Sequence, residues 1–382
     1  LLASGIVTLY SRVGKGAIVG HTDQHVTGVE NTPVTLRQAM ACLGHLYFAE
    51  ERQDQASSVH QLLNMCKRPL NEWAPQALAT LEEYSGVVLV DPDYLDAPVP
   101  SEACETIAET AAGTRHMSDL IERQLHEQLR EAIKQLGEAD AECAYTRIRE
   151  FIARHPLASA GELGDLHHDD DVPYAAITFL YEHVYTPVHA WDSRDGREVY
   201  QCKHCSCLIV AQQGDWGKAA CCLAGCREEH PTAEIRQRLP LAESYIARPE
   251  ILKFWVDPAR DELRIYDALR KVPGLRERVR LYPHADRCDV SVGDQAGVDV
   301  KDYRDPIILA QRLNRSSLGV FMYSDAILAI AKRRWTQAYQ EQLEERLTPD
   351  RRSRLKIMSV TKAISYLKDT YGGGESHARP SR

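Results

Sequence analysis

Three residues in the last third of the chain have the types and spacing of a metal-dependent hydrolytic site: Asp289, Asp299 and Lys301. Asp299 and Lys301 are two residues apart in GVDVKDY (297–303), so a strand would point both side chains to one face. Carboxylates on adjacent strands hold Mg²⁺ or Mn²⁺ together with phosphate oxygens. A lysine beside them would orient or deprotonate the attacking water and stabilise the charged transition state. The combination predicts hydrolysis of phosphodiester bonds, with Asp289 and Asp299 as metal ligands.

Two further polar residues are candidates for the same site. Glu262 lies on the helix predicted before the strands, and Gln311 lies on the helix predicted after them. Aspartate and lysine side chains that are buried without a task are costly, which favours a functional role for them. The alternative is that Asp289, Asp299 and Lys301 form a solvated face of a half-exposed sheet.

The surrounding sequence supplies elements that can position these residues. Asp and Pro open a helix that ends before a Pro-Gly pair, and apolar alternation marks short strands. A further helix, a strand (LKIMSV, 355–360) and a last helix follow the core. The core elements are predicted in the order helix 257–274, strands 278–283, 287–292 and 297–303, helix 305–315 and strand 318–324.

This constellation resembles the PD-(D/E)xK, or restriction-endonuclease-like, nuclease superfamily over about residues 250–371. One departure is Cys288, which stands where the family often has proline before its first aspartate. The resemblance implies an α/β core of the order αβββαβ and a Mg²⁺- or Mn²⁺-dependent DNA nuclease. Asp289, Asp299 and Lys301 would be its catalytic residues, joined by Glu262.

The segment GVDVKDYRDP, the helical N-terminal half and the cysteine cluster together resemble the restriction-endonuclease-type protein encoded beside the pPIWI-RE family, a prokaryotic relative of PIWI/Argonaute. That resemblance implies a bacterial defence system directed against invading DNA or RNA–DNA hybrids, with a PIWI-like protein and a helicase as partners. Many nucleases of this type dimerise, so fold-level analogy implies a homodimer. The alternatives are a non-cutting nucleic-acid-binding or scaffolding subunit, and a zinc-ribbon adaptor that acts through protein contacts.

Six of the eleven cysteines fall between residues 202 and 226. Cys202 and Cys205 form a C-x2-C knuckle, and a predicted hairpin, CLIVAQQGDWGKAAC, leads to a second pair of cysteines. Two such knuckles make a zinc ribbon whose closed four-thiolate shell leaves no position for chemistry, so the Zn²⁺ would be structural. The best-fitting second pair is Cys222 and Cys226, with Cys221 as the alternative to Cys222, Cys207 as a spare thiol, and His230 as the alternative to Cys226.

Composition sets the remaining limits. A chain of 382 residues suggests two or three domains. A net charge of −9 confines any DNA contact to a local patch, and residues 331–362 hold nine Lys and Arg against four acidic residues. Such a run is otherwise a solvated charged face.

The sequence also bears on location. No apolar run reaches 18 residues, and the first residues lack a secretory signal pattern. Clustered cysteines favour a reducing compartment, so we expect a cytoplasmic protein without a membrane segment.

Taken together, these patterns predict a multidomain α+β fold. A helical N-terminal region precedes a small zinc-ribbon-like module and the α/β core. The predicted divisions are a helical domain (1–160), a helix plus zinc-binding ribbon (174–248), the nuclease domain (250–371) and a disordered tail (372–382).

Overall fold

A computed structural model of the chain shows a mixed fold of helices and sheets in two compact units, residues 1–125 and 126–382. Among the described residues, no helix is long and apolar enough to cross a membrane. Most of the predicted tail, 374–382, lies outside the described residues. The structure describes residues 1–13, 32–81, 84, 86–93, 98–112, 117–212, 214–315 and 318–373.

The described residues of the first unit form helices, which agrees with the helical N-terminal region predicted from the sequence. Its core holds the buried ring of Trp73, and the Tyr47 hydroxyl donates to the Trp73 carbonyl at 2.9 Å. Val90 makes an isolated antiparallel β-bridge with Pro100. The helices are α1 (Leu2–Val13), α2 (Val34–Ala49), α3 (Val59–Met65), α4 (Leu70–Trp73), α5 (Gln76–Ala79) and α6 (Glu102–Ala112), and α7 (Met117–Ile133) runs across the division between the units.

The second unit contains the remaining helices. Two of them, α10 and α12, continue as π-helices at Leu180–Val184 and Leu252–Val256. The helices are α8 (Glu138–Arg154), α9 (Ala160–His167), α10 (Tyr174–Phe179), α11 (Ala224–Glu229), α12 (Pro249–Ile251), α13 (Ala259–Arg270), α14 (Pro283–Asp286), α15 (Pro306–Arg315), α16 (Gln337–Arg346), α17 (Pro349–Arg354) and α18 (Val360–Tyr371).

The strands of this unit form three sheets. Their orders are β1-β7-β2, β5-β4-β3-β6 and β12-β11-β10-β9-β8. The strands are β1 (Leu157–Ser159), β2 (Tyr185–Pro187), β3 (Glu198–Cys202), β4 (Leu208–Gln212), β5 (Asp215–Cys221), β6 (Ile235–Pro240), β7 (Ser244–Ala247), β8 (Val279–Leu281), β9 (Val290–Val292), β10 (Ala296–Lys301), β11 (Asp325–Ile330) and β12 (Lys356–Ser359).

The five-stranded sheet is the scaffold of the candidate site. Strands β10, β11 and β12 are parallel, β9 pairs antiparallel with β10, and β8 pairs antiparallel with β9. Helix α13 packs against α18 and against β8 and β9, and α18 also packs against β11 and β12. Every residue of β11 is buried, as expected for a central parallel strand covered by helices.

The strand predicted at 318–324 is wrong. Gly319–Met322 is a turn of 3-10 helix, and the strand that pairs with β10 is the following run, Asp325–Ile330. The apolar character of both runs made the nearer one look like the strand. Gly319 lies so close to the Arg287 carbonyl that a side chain would overlap it, which fits a packed turn rather than a strand.

Helix α8, which the sequence analysis grouped with residues 1–160, packs inside the second unit. It contacts the π-helix Leu252–Val256 and the turn α14. Its buried face includes Tyr145, Ile148 and Ile152, so the apolar stripe that predicted a helix is used for packing in this unit.

The cysteine segment forms the predicted hairpin. Strands β4 and β5 are antiparallel, and β3 and β6 extend the sheet on the other side of β4. The side of this sheet that faces inward carries Val199, Leu208 and Val210, which share a core with Leu157 and Val188.

Candidate active site

The face of β10 that carries the two predicted polar residues is formed as the alternation indicated. Val298 and Val300 are buried, whereas Asp299 and Lys301 are partly exposed. The Lys301 Nζ donates to Asp299 Oδ1 at 2.6 Å. The lysine and one carboxylate therefore form a pair on one face of the strand.

Asp289 lies immediately before β9, where the pairing with β10 is irregular. Val290 is in register with Val298, yet the Asp289 N–H also donates to the Val298 carbonyl at 3.0 Å. Two residues of one strand opposite one residue of its neighbour is the arrangement of a β-bulge, which re-aims a side chain. The Asp289 carboxylate accepts a bond from the Val300 N–H at 2.5 Å, so it lies against the strand that carries Asp299.

Burial and like charges act on Asp289. Burial raises the pKa of the Asp289 carboxyl well above its usual value, and the nearby Glu262 and Asp299 carboxylates raise it further. Lys301 opposes this by favouring the charged form. A site with more carboxylates than cations is one in which a bound cation lowers the electrostatic energy.

Glu262 projects from the buried face of α13 into this region. The Tyr282 hydroxyl donates to Glu262 Oε2 at 2.8 Å. Burial raises the pKa of the Glu262 carboxyl to about 7; Arg149 and Lys301 lower it, and Asp286 raises it. Glu262 lies near enough to Asp289 for its charge to raise the pKa of the Asp289 carboxyl, while the other helix candidate, Gln311, is exposed on α15.

The raised pKa of Glu262 has a consequence for stability. A carboxyl whose pKa is higher in the folded protein stabilises it fully below the ordinary pKa of 4.5 and loses that contribution as the pH rises through about 7. We expect the free energy of unfolding of the wild type to fall between pH 5 and pH 8. In Glu262→Gln, which lacks this carboxyl, the fall should be smaller by about 2–3 kcal/mol. Urea unfolding at both pH values measures this, with the exposed Glu345→Gln as the control. An equal fall in all three proteins would contradict it.

Sequence reasoning missed Arg149, whose contacts lead through Tyr282 to Glu262. The Arg149 guanidinium, on α8, lies 4.2 Å from the Trp255 ring and 4.7 Å from the Tyr282 ring. Its Nε donates to Asp286 Oδ2 at 3.3 Å, and the Tyr145 hydroxyl donates to the same oxygen at 3.2 Å. An arginine on the apolar face of an amphipathic helix was the signal that could have pointed to it.

The turn that holds Tyr282 and Asp286 has an unusual backbone. Tyr282, His284, Ala285 and Asp286 all have φ between 50° and 74°, the left-handed region that favours glycine. Such residues cost of order 1–3 kcal/mol each and persist where the surroundings fix them. The Tyr282 N–H donates to the Asp289 carbonyl at 2.9 Å, so this turn is tied directly to the strand end of the site.

Four cysteine thiols form a second candidate metal centre. One Sγ from each of Cys202, Cys205, Cys221 and Cys226 lies within 4.8 Å of the others. Four thiolates around one point match the donor set of a structural zinc site. The hairpin and the two knuckles thus bring together ligands that are separated in sequence.

The structure selects Cys221 rather than the predicted Cys222 as the third member of the group. Consecutive residues of a strand point to opposite faces, and Cys222 Sγ lies 3.1 Å from Cys207 Sγ instead. His230, the alternative to Cys226, stacks on His204 with ring centroids 3.7 Å apart and is not in the group.

Among the described residues, the acidic side chains of the first site do not form a comparable group of three within 4.8 Å. Mg²⁺ is commonly held by one or two carboxylates together with substrate phosphates, so it does not require a cage made by the protein alone. Asp289 and Asp299 supply the hard oxygen donors that Mg²⁺ and Mn²⁺ prefer, and burial with like charges favours a cation beside them.

Buried ion pairs connect the cysteine module to the strand that ends at Lys301. Asp302, the next residue, accepts from Arg333 Nε at 3.0 Å and from Arg334 Nε at 2.9 Å. Arg334 also donates to Glu228 at 2.8 Å, on the helix α11 that contains Cys226. Two arginines of the predicted basic stretch are therefore largely buried and are not free for contact with a phosphate backbone.

Gly225 on α11 is required by the close approach of the Arg333 guanidinium. A Cβ at this position would overlap the Arg333 guanidinium and Asp257, which form an ion pair at 3.0 Å. We expect Gly225→Ala to lower the free energy of unfolding by about 1–3 kcal/mol, because the pair must move apart. Chemical denaturation checks this. Gly164→Ala is the control, since its Cβ would meet open space, and equal stabilities for the two variants would contradict the prediction.

Comparison with known families agrees with the resemblance drawn from the sequence. Residues 259–374 match the family model described as REase associating with pPIWI_RE, and residues 13–159 match that described as pPIWI_RE three-gene island domain Y. No match was found among curated proteins or among solved structures. The two matches are consistent with a restriction-endonuclease-like protein associated with pPIWI-RE systems, and they suggest a nuclease-related role in a defence system.

Proposed function

We propose that this protein is a divalent-metal-dependent nuclease that hydrolyses phosphodiester bonds of DNA. The observation that carries the proposal is the Lys301–Asp299 pair beside the half-buried carboxylate of Asp289 and the buried carboxylate of Glu262. These residues lie in the segment that matches a restriction-endonuclease-type family, 259–374. The five-stranded sheet with its flanking helices would be the PD-(D/E)xK core.

Each side chain has a role in this proposal. Asp289 and Asp299 would hold Mg²⁺ or Mn²⁺, which, when bound, activates water and neutralises charge on the phosphate. Lys301 would orient or deprotonate the attacking water and stabilise the charge that develops on the phosphate oxygens. Glu262, fixed by the Tyr282 hydroxyl, would complete the acidic side of the site or position water beside it.

The cysteine group would hold a structural Zn²⁺. Cys202, Cys205, Cys221 and Cys226 provide the four thiolates of a closed site, so the ion would hold the module together rather than take part in hydrolysis. Thiolates of this kind persist in a reducing compartment, which supports the cytoplasmic location proposed from the sequence.

The family matches support a proposed biological role as well as a proposed reaction. Both models are described by their relation to pPIWI_RE, which supports action with a PIWI-like protein and a helicase against invading DNA or RNA–DNA hybrids. Homodimerisation to cut both strands is a further part of the proposal, by analogy with the fold class.

Cleavage of labelled single-stranded DNA, duplex DNA and an RNA–DNA hybrid, with and without Mg²⁺ or Mn²⁺, tests the proposed activity. We expect cutting of at least one substrate that requires the metal. If none is cut, the assay is repeated with the PIWI-like protein and the helicase, whose presence would supply a missing activator. Failure to cut under all these conditions would overturn the nuclease assignment.

A second function is favoured by one observation. The three carboxylates do not come within 4.8 Å of one another as the four thiols do, which is compatible with a nuclease-like fold that binds nucleic acid without cutting it. Calorimetric titration with Mn²⁺ separates the two functions. Binding that disappears in an Asp289→Asn, Asp299→Asn protein supports the nuclease, whereas absence of binding in the wild type favours the non-cutting subunit.

A further inference from the structure

The buried Arg149 comes from a part of the chain that lies outside the nuclease-family match. Helix α8 ends at Arg154, within the match to domain Y at 13–159 and before the match at 259–374 begins. Nevertheless, the side chain of Arg149 is only 4% exposed and lies against residues of the candidate active site. Residues of the two matched segments are therefore in contact beside the candidate site.

A short chain of contacts links Arg149 to Glu262. The guanidinium lies over the Tyr282 ring at 4.7 Å, and the hydroxyl of that ring donates to Glu262 Oε2 at 2.8 Å. The guanidinium also lies over the Trp255 ring, 4.2 Å from its centroid. A planar cation between two aromatic rings fixes their orientation as well as contributing attraction.

The same guanidinium also holds the left-handed turn. Its bond to Asp286 Oδ2 joins α8 to the last of the residues with positive φ. Asp286 is a partly buried carboxylate near Glu262, and its charge raises the pKa of the Glu262 carboxyl. Arg149 thus neutralises Asp286 and supports the tyrosine that orients Glu262.

Packing alone does not account for an arginine here. Among the described residues, no hydrogen-bond partner is present for the buried Arg149 Nη1, and an unsatisfied buried donor on a charged group is destabilising. A buried ion pair is often no more stabilising than apolar residues of the same volume, so stability alone does not explain an arginine at this position.

We propose that Arg149 is a positioning residue of the active site, which keeps Glu262 oriented toward Asp289 through Tyr282 and the Asp286 turn. The proposal rests on the proposed nuclease function. It makes the active site composite, because the helix from the domain Y segment completes the part built on the nuclease segment.

The test compares Arg149→Met, Arg149→Lys and Tyr282→Phe with the wild type in the full-length protein. Two quantities are measured for each: the Mn²⁺ dissociation constant at fixed pH, and kcat for the substrate cut by the wild type. Thermal unfolding shows whether each variant is folded. The matched control is Arg154→Met, because Arg154 lies on the same helix and bonds Asp267 of α13 at 2.7 Å without touching the site.

We expect Arg149→Met to weaken Mn²⁺ binding and to lower kcat by about 10- to 100-fold, as loss of residues that support metal ligands commonly does. Arg149→Lys should recover part of both, since it keeps the charge near Asp286 but loses the planar stacking. Tyr282→Phe should show a loss of similar size, and the Arg149→Met, Tyr282→Phe double variant should be little worse than either. Arg154→Met should change unfolding more than Mn²⁺ binding.

Losses below threefold in all three site variants, or an equal loss in Arg154→Met, would overturn the proposal. If Arg149→Met does not fold, the result for Tyr282→Phe decides whether the proposal holds, because this variant keeps the ring against the guanidinium and removes only the hydroxyl. A wild type that neither binds Mn²⁺ nor cuts would instead overturn the proposed function. A wild type that does both, with unaffected variants, would overturn this inference alone.

Discussion

A Lys301→Ala protein is expected to lose metal-dependent cleavage by about 10²- to 10³-fold in kcat while it still binds Mn²⁺. The reason is local. Lys301 is the cation bonded to Asp299 at 2.6 Å and lies on the partly exposed face of β10, where a substrate phosphate would meet the carboxylates. Removing it would leave the proposed metal-binding oxygens in place but would remove the positive charge that we propose stabilises the transition state.

The control for this experiment is Lys271→Ala. Lys271 is exposed at the end of α13, in the same unit, and its substitution removes the same charge from the surface. We expect it to cut like the wild type. Single-turnover kinetics at saturating Mn²⁺ separate a loss of chemistry from a loss of binding. Cleavage by Lys301→Ala within threefold of the wild type would exclude the lysine from catalysis and would remove the main support for the site.

The part of this site that could be predicted lies on a single strand. Alternation places Asp299 and Lys301 on one face without reference to the rest of the chain, and the structure shows that face. The same reasoning cannot reach Arg149 and Asp286. They are brought to Glu262 by the packing of α8 on the turn at 283–286, a contact between segments far apart in the sequence.

Two errors have the same physical origin. The run at 318–324 and the run at 325–330 are both apolar enough for a strand, and only pairing with β10 decides that the second is the strand. Likewise, Cys221 and Cys222 both fit the spacing of a zinc knuckle. The register of the hairpin, which pairs Cys221 with Ile209, decides which thiol joins the group. The local sequence pattern does not decide which run is the strand or which thiol joins the group, because strand pairing decides both.

The second large effect is expected on the zinc content when the adjacent Cys221 and Cys222 are each substituted. Cys221→Ser should lose most of the zinc bound per chain, whereas Cys222→Ser should retain it, because only the Cys221 thiol lies with Cys202, Cys205 and Cys226. Zinc binding supplies about 10–16 kcal/mol to small zinc domains, so its loss should lower the unfolding temperature by about 10 °C or more. Metal analysis of purified protein and calorimetric melting measure both quantities, and the two substitutions lie at adjacent positions, the last residue of β5 and the residue after it.

The same pair also tests whether the zinc module supports the nuclease site. Helix α11 carries Cys226 and Glu228, and Glu228 bonds Arg334, which bonds Asp302 beside Lys301. If zinc holds α11 in place, cleavage should fall in Cys221→Ser and persist in Cys222→Ser. Equal zinc content in the two variants would contradict the ligand set. Loss of zinc without loss of cleavage would show that the ion pairs hold Asp302 without help from the metal, and the zinc would then serve the stability of its own module.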